Sequence, residues 1–238
     1  MPASIDQLKP RKGALSKERI VASAIEILDT AGERALTFRS LASRLSTGSG
    51  AIYWHVEDKE TLLAAATEHV LSRAIAEVVS ATHPADALRA IALGVFDAIE
   101  AHPWVGTEFT REPWQPAVVA VFEMSSAKFD ALGVPSEALF HCVSALHQYL
   151  LGSAAQTAAA ARHKFCASDR PTVLSTIVES WTQRDPAQYP FVHSLADQVR
   201  THDEREAFLA GINLILAGAI DLTAAGADPE ATVTRARI

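Results

Sequence analysis

Arg39, Ser49, Gly50, Ala51, Tyr53, Trp54, His55 and Lys59 lie in one short stretch of the chain, and their side chains are the kinds that read duplex DNA. A guanidinium fork pairs with guanine O6 and N7 or with a phosphate, a serine hydroxyl bonds a base edge or a phosphate, and an alanine methyl meets the methyl of thymine. Gly50 permits close approach of the backbone. Tyr53 and His55 offer a hydroxyl and an imidazole to phosphate oxygens, and Lys59 adds a point charge. Trp54 either covers a small core or braces the backbone. For Tyr53 and His55 the competing account is packing among neighbouring helices.

Three helices must hold these groups. Ser16 is a fitting N-cap, and Val21, Ala24, Ile25, Leu28 and Ala31 follow an i, i+3, i+4, i+7 pattern up to Gly32, the expected C′ glycine. Thr37 caps a second helix, with Leu41 and Leu45 one turn apart on its inner face and Arg39 and Arg44 on others. Ser46-Thr47 turns the chain, and Gly48, a weaker cap than serine, starts a short third helix through His55. Two short helices around a small-residue turn have the proportions of a helix-turn-helix whose second helix enters the major groove.

The whole chain has 238 residues and a formal charge of −7, unpromising for a nucleic-acid partner until the charge is divided along the sequence. Residues 1–56 carry a net +3 and residues 57–238 a net −10, so a basic head approaches phosphates while an acidic body is repelled by them. With 49% hydrophobic residues and no apolar leader after Met1, a cytoplasmic protein with a sizeable core is expected. The stretch from Phe208 to Ile220 contains Asn213 and falls short of the ~20 apolar residues of a membrane span, so no membrane partner is expected. Cys142 and Cys166 form no CxxC pair.

Beyond the head, helical patterns run from Lys59 to about Ala81 and from Ala85 to Ala101. Breakers and aromatics crowd the segment between Pro103 and Pro116, and a helix follows over Ala117 to Leu132. Two long, apolar helices are predicted, one from the Ser136 cap to about Arg162 and one from the capping-box-like Asp203 and Glu206 through Thr223. Two short helices are expected within 163–202. No strand is convincing. The fold class is therefore all-α, with an N-terminal three-helix helix-turn-helix head and a larger helical body, whose expected ligand-binding and dimerisation roles rest on the family resemblance and candidate residues given below. The expected division is a flexible basic arm over 1–15, a DNA-binding head over 16–60 and a body over 61–238.

Over about Leu15 to Leu71 the chain resembles the tetracycline-repressor (TetR) family of bacterial transcriptional regulators. The matching residues are Ile20, Ala24 and Gly32, then Leu36-Thr37, Arg39, Leu41-Ala42 and Leu45, then Ile52-Tyr53-Trp54-His55-Val56, and Lys59 with Leu62-Leu63. One departure is the turn, where the family usually has Gly-Val-Ser and this chain has Ser46-Thr47-Gly48. The resemblance implies a homodimer on a palindromic double-stranded DNA operator, released by a small-molecule effector. One head makes few base contacts, whereas two heads about a two-fold axis read inverted half-sites about 34–36 Å apart or a multiple of that.

The two long helices are the expected dimer face, with Gly211 and Gly218 allowing close approach; the competing account places them in the monomer's own core. Trp104, Phe109, Trp114 and Phe122, with His147 and Gln148, are candidate walls and polar anchors of an effector pocket, which favours a hydrophobic or aromatic compound. An ordinary packed core is the competing account. In the drug-responsive members a histidine binds the drug's magnesium where this chain has Phe109, and Ile75 stands about where a drug-contacting histidine is expected, which argues against tetracycline. His163 and Cys166 share a face but lack a third ligand, so neither metal nor cofactor is expected. No G-x-S-x-G, phosphate loop, H-E-x-x-H or paired-carboxylate frame occurs, so catalysis is not expected. Alternatives are an activator with the same head, or an all-α small-molecule-binding protein or enzyme without DNA function.

Overall fold

The computed structural model describes residues 15–78, 83–111, 114–162 and 170–226. The expected arm over 1–15 lies outside the described residues apart from Leu15, as do His163 and Cys166. Among the described residues there are helices and no strand.

The first compact unit ends at His69. In α1 (Lys17–Ala31) the Ser16 hydroxyl accepts from the Arg19 amide at 3.3 Å, supplying one of the four acceptors that a helix start lacks. Ile20, Val21, Ala24, Ile27 and Leu28 form its buried stripe. Gly32 ends it at φ 75°, with its N–H on the Leu28 carbonyl at 3.1 Å, a conformation that an L side chain resists. After a 3₁₀ turn (Glu33–Ala35) comes α2 (Phe38–Arg44), held by a reciprocal capping box in which the Thr37 and Ser40 side chains each bond the other's backbone N–H at 3.0 Å. The short α3 (Ser49–Tyr53) buries one side chain, Ile52. The next helix, α4 (Lys59–Val78), starts where Asp58 Oδ1 accepts from the Thr61 N–H at 2.7 Å. Ile20, Ala24, Leu36, Leu41, Ile52, Val56 and Leu62 are nearly fully buried, so all four helices contribute to one small core.

The second unit begins at Val70, within α4. It continues through α5 (Pro84–Ala101), α6 (Pro103–Arg111), α7 (Pro116–Ala131), α8 (Ser136–Arg162), α9 (Arg170–Thr182), α10 (Pro190–Thr201) and α11 (Glu204–Gly226). The segment after Pro103, crowded with breakers and aromatics and given no helix in the sequence reading, is helical: Pro103 opens α6 as its first residue. A missing N–H costs nothing in a first turn, and the fixed φ of proline already suits a helix. Helices α5 to α8 form the centre of the unit, with Leu88, Ile91, Val105, Phe109, Phe129 and Leu146 fully buried. At Gly106 a Cβ would stand 2.7 Å from the Ala154 carbonyl oxygen, so α6 lies directly on the backbone of α8.

Helix α11 is tied to α5 by polar contacts. Arg205 bonds both carboxylate oxygens of Asp97, at 2.8 and 2.9 Å, and Arg89 Nε bonds Asn213 Oδ1 at 2.7 Å. The Asp203 cap is present, its carboxylate accepting from the Glu206 N–H at 2.8 Å. Gly211 has a different use from the one expected. A Cβ there would fall 2.2 Å from the Tyr149 hydroxyl oxygen, so the glycine admits a tyrosine of α8 within the same chain, while Gly218 faces open space. The length reading of this segment is also corrected: Glu204–Ala224 holds an 18-residue stretch of mean hydropathy 1.8, long and apolar enough to cross a membrane by length and composition alone, with 22% of that stretch buried. Counting from Phe208 to Ile220 left out Ala207 and, beyond Asp221, Leu222, Thr223 and Ala224. By itself such a helix is weak grounds for a membrane span. Leu214, Ile220 and Leu222 are exposed on it, an apolar surface that water disfavours.

Candidate functional site

The two helices of the head are joined by a tight turn. The Thr47 N–H reaches the Ala42 carbonyl at 2.9 Å and the Ser46 N–H the Ser43 carbonyl at 3.3 Å, with Ser46 at φ 53°. These bonds are a Schellman ending of α2. Serine occupies the left-handed position usually given to glycine, at a cost of about 1 kcal/mol. The turn is therefore closed despite its altered sequence. At Gly48, α3 starts from extended backbone with no side-chain cap, as a glycine there dictates.

The basic side chains divide into two groups. Arg44 is engaged inside the head, donating from Nε to Glu26 of α1 at 2.9 Å and pairing with the same carboxylate through its terminal nitrogen. Lys59 donates to the Glu33 carbonyl oxygen at 2.9 Å and lies 3.5 Å from the Glu33 carboxylate. Arg39 is exposed and has no hydrogen bond or ion pair among the described residues. Arg34, in the 3₁₀ turn, is likewise exposed and without such a bond among the described residues, so among the arginines of the helix-turn-helix pair it is Arg39 whose fork is available to an outside partner.

Along α3, Ser49 and Ala51 are half-buried and Gly50 is exposed, with nothing within 4 Å of a Cβ built at position 50. No internal packing requires that glycine. Tyr53, Trp54 and His55 are exposed, and Trp54 at 91% does not cover the head's core. The packing account for His55 is likewise not what the structure shows. His55 does lie near Glu18, whose carboxyl is held below its ordinary value by its own backbone N–H, by the Ser16 hydroxyl and by the imidazole. The Tyr53 ring touches Phe38, with centroids 4.4 Å apart and planes at 48°. Phe38 escaped the sequence reading because an aromatic at the first position of a helix carries no chemistry of its own.

In the body, the structure brings together three of the six pocket residues. Phe109 of α6 and Phe122 of α7 lie 6.2 and 5.7 Å from the His147 ring of α8, centroid to centroid. His147 Nδ1 and, one turn along α7 from Phe122, Ser125 Oγ are buried without hydrogen-bond partners. Burial holds the His147 imidazole below its ordinary pKa, which keeps it neutral. An orphaned imidazole nitrogen between two aromatic rings, like any buried unpaired hydroxyl, is costly unless a further group meets it. Sequence reasoning missed Ser125, whose one signal was a hydroxyl on the apolar side of α7.

The other three residues stand elsewhere. Trp104 sits against His102, with ring centroids 6.2 Å apart, and Trp114 is 74% exposed. Gln148, next to His147 but on another face of α8, lines a groove of about 350 Å³ with Phe96, Tyr149, His202, Glu204 and Phe208. The six therefore do not surround one cavity. Phe109 and Ile75 are hydrocarbon and buried, so they do not fit a magnesium-bound drug. No cluster of three metal-ligating side chains occurs among the described residues.

Comparison with known proteins agrees with this arrangement. Residues 20–66 match the profile of the bacterial regulatory proteins of the tetR family, and residues 83–221 match the tetracyclin repressor-like C-terminal domain. A solved TetR transcriptional regulator from Streptomyces coelicolor is 48% identical, over 88% of this chain and 100% of that one, at a TM-score of 0.79. ActR of the same organism, solved in complex with actinorhodin, shares the fold at 23% identity and a TM-score of 0.68, over 87% of this chain and 98% of that one. An HTH-type transcriptional regulator of Saccharopolyspora erythraea is 29% identical over 60% of this chain, a match that spans 61% of the relative's length. The class G tetracycline repressor of Vibrio anguillarum is 27% identical over 89% of this chain and 96% of its own. With a three-helix head ending in Tyr53-Trp54-His55-Val56 and a helical body that both match, the chain belongs to the TetR family of bacterial transcriptional regulators.

Proposed function

We propose that the chain is a homodimeric repressor that binds a palindromic operator and leaves it when a small hydrophobic or aromatic effector enters the body. The observation that carries the reading is the exposed set on the helix-turn-helix: an unpaired Arg39 on α2 with Tyr53, Trp54 and His55 at the end of α3. Arg39, Ser49 and Ala51 supply base-edge contacts, Gly50 lets the backbone approach closely, and Tyr53, His55 and Lys59 grip phosphates on either side, with Trp54 against the backbone. The dimer covers the apolar surface of α11, with α8 alongside it, because an exposed helix of that hydropathy is best buried against a second copy. The protein acts in the cytoplasm, where its DNA is.

The effector meets the body between α6, α7 and α8, where Phe109 and Phe122 supply apolar contact and His147 the polar anchor. A ligand shifts the DNA-binding equilibrium only by its differential affinity for two conformations, about 5.5 kcal/mol for a 99:1 reversal. Selection from random duplexes tests the DNA reading. An inverted repeat is expected, bound with an affinity that falls steeply as salt rises; equal recovery of all sequences would overturn it.

A further inference from the structure

We propose that Phe38 is a positioning residue for sequence recognition, holding α3 in its reading orientation through the Tyr53 ring. This rests on the DNA-binding reading of the head and goes beyond it, since Phe38 itself needs no contact with DNA. Helix α3 has five residues, one buried side chain and an N-terminus without a side-chain cap. A rod so short, with Ile52 as its one fully buried side chain and Ser49 and Ala51 half-buried, is weakly held against rolling about its axis. The ring of the adjacent Tyr53 meets Phe38 at 4.4 Å and supplies the second point of support.

The support is itself fixed. Phe38 is the first residue of α2, and the Thr37–Ser40 capping box on either side of it bonds both backbone amides at 3.0 Å. Its ring is half-buried, while Tyr53 remains 55% exposed and its hydroxyl has no hydrogen bond among the described residues. The ring is thus used for packing and the hydroxyl is left for an outside acceptor. A small rotation of α3 displaces Ser49 and Ala51, the base-reading groups it carries, relative to Arg39 on α2, and hydrogen bonds to base edges tolerate little misalignment. Phosphate contacts made by flexible cations tolerate more. Loss of Phe38 therefore lowers binding to the selected duplex more than sequence-independent binding, which loses only part of the single phosphate contact made by the Tyr53 hydroxyl.

The test compares the full-length wild-type chain with Phe38→Ala, Phe38→Leu and Phe38→Tyr on two probes: the duplex recovered from random sequence by the wild type, and a scrambled duplex of equal length. Phe38→Ala is expected to weaken binding to the selected duplex about threefold to tenfold, the range of an aromatic pair, and to leave the scrambled duplex within twofold. Phe38→Tyr should restore selectivity because it keeps the ring, and Phe38→Leu, which keeps the bulk and the fold, should not. In a cycle with Tyr53→Ala the two losses should be less than additive. Equal losses on both probes would overturn the inference, since they mean a loosened head, as would wild-type discrimination in both Phe38→Ala and Phe38→Leu. Those outcomes leave the DNA-binding reading intact. Failure of the wild type to select any duplex overturns both.

Discussion

The Lys59 ammonium donates to the Glu33 carbonyl oxygen at 2.9 Å and lies 3.5 Å from the same residue's carboxylate. The first turn of α4 is thereby fastened to the 3₁₀ turn that follows α1. An ammonium has three donors, so Lys59 brackets the head and keeps a donor for a phosphate.

Lys59→Ala should then show two separate effects. The head should lose no more than about 1 kcal/mol in denaturant melts, because the contact is partly exposed and solvent screens it. The slope of log affinity against log salt should become shallower by about 0.9, the share of one phosphate contact. An unchanged slope with lowered stability would leave Lys59 the fastening role alone.

Ser46 adopts φ 53° at the Schellman ending of α2, so Ser46→Gly should stabilise the head by about 1 kcal/mol and Ser46→Val should destabilise it by more. Chemical denaturation of the purified variants measures both. A destabilised glycine variant would show that the serine side chain has a compensating role.

Gly211→Ala is expected to cost about 1–3 kcal/mol by overpacking, since the new methyl would meet the Tyr149 hydroxyl oxygen at 2.2 Å and its ring carbon at 2.4 Å. The Tyr149 ring is stacked on Phe208 and its hydroxyl bonds the Phe208 carbonyl at 3.2 Å, so it cannot simply swing away. In a cycle with Tyr149→Ala the two costs should be strongly non-additive. Additive costs would separate the two residues.

The His147 imidazole, held below its ordinary pKa of 6.5 by burial, gives a pH dependence with a definite sign. A depressed folded-state pKa means that the unfolded chain binds the proton more readily. The associated stability is therefore complete above pH 6.5 and is lost as pH falls toward the folded-state value. His147→Gln should flatten the stability profile on the acid side of neutrality, and an imidazole titration followed by NMR should lie below 6.5. A midpoint above that value would contradict the buried, neutral assignment.

Much of the head was legible because its signals are local. Ser16, Gly32 and Thr37 mark helix ends by chemistry that acts within four residues, and the apolar spacing of α1 needs no partner to be seen. Arg39 and Arg44 looked alike in sequence, however, and only folding, which brings Glu26 beside Arg44, separates the engaged arginine from the available one. In the body the helices other than α6 were readable, while the site was not. The relation of Phe109, Phe122, His147 and Ser125 depends on how three helices cross, and that information is spread over the whole core. Gly211 illustrates the same limit: a glycine there does allow close approach, but the group that approaches is Tyr149 of the same chain.

Arg39→Ala should reduce sequence preference with little change in binding to unrelated duplexes, because its fork is free and suits guanine. Competition between the selected duplex and single-base variants checks this. Unchanged discrimination would remove Arg39 from base reading.

The most direct test of the central claim is selection of bound DNA from random duplexes by the full-length protein at low salt, with the stoichiometry of the recovered complex measured. An inverted repeat with half-site centres about 34–36 Å apart, or a multiple of that, bound by two chains is the predicted result. Recovery of no preferred sequence, or of a single half-site bound by one chain, would contradict it.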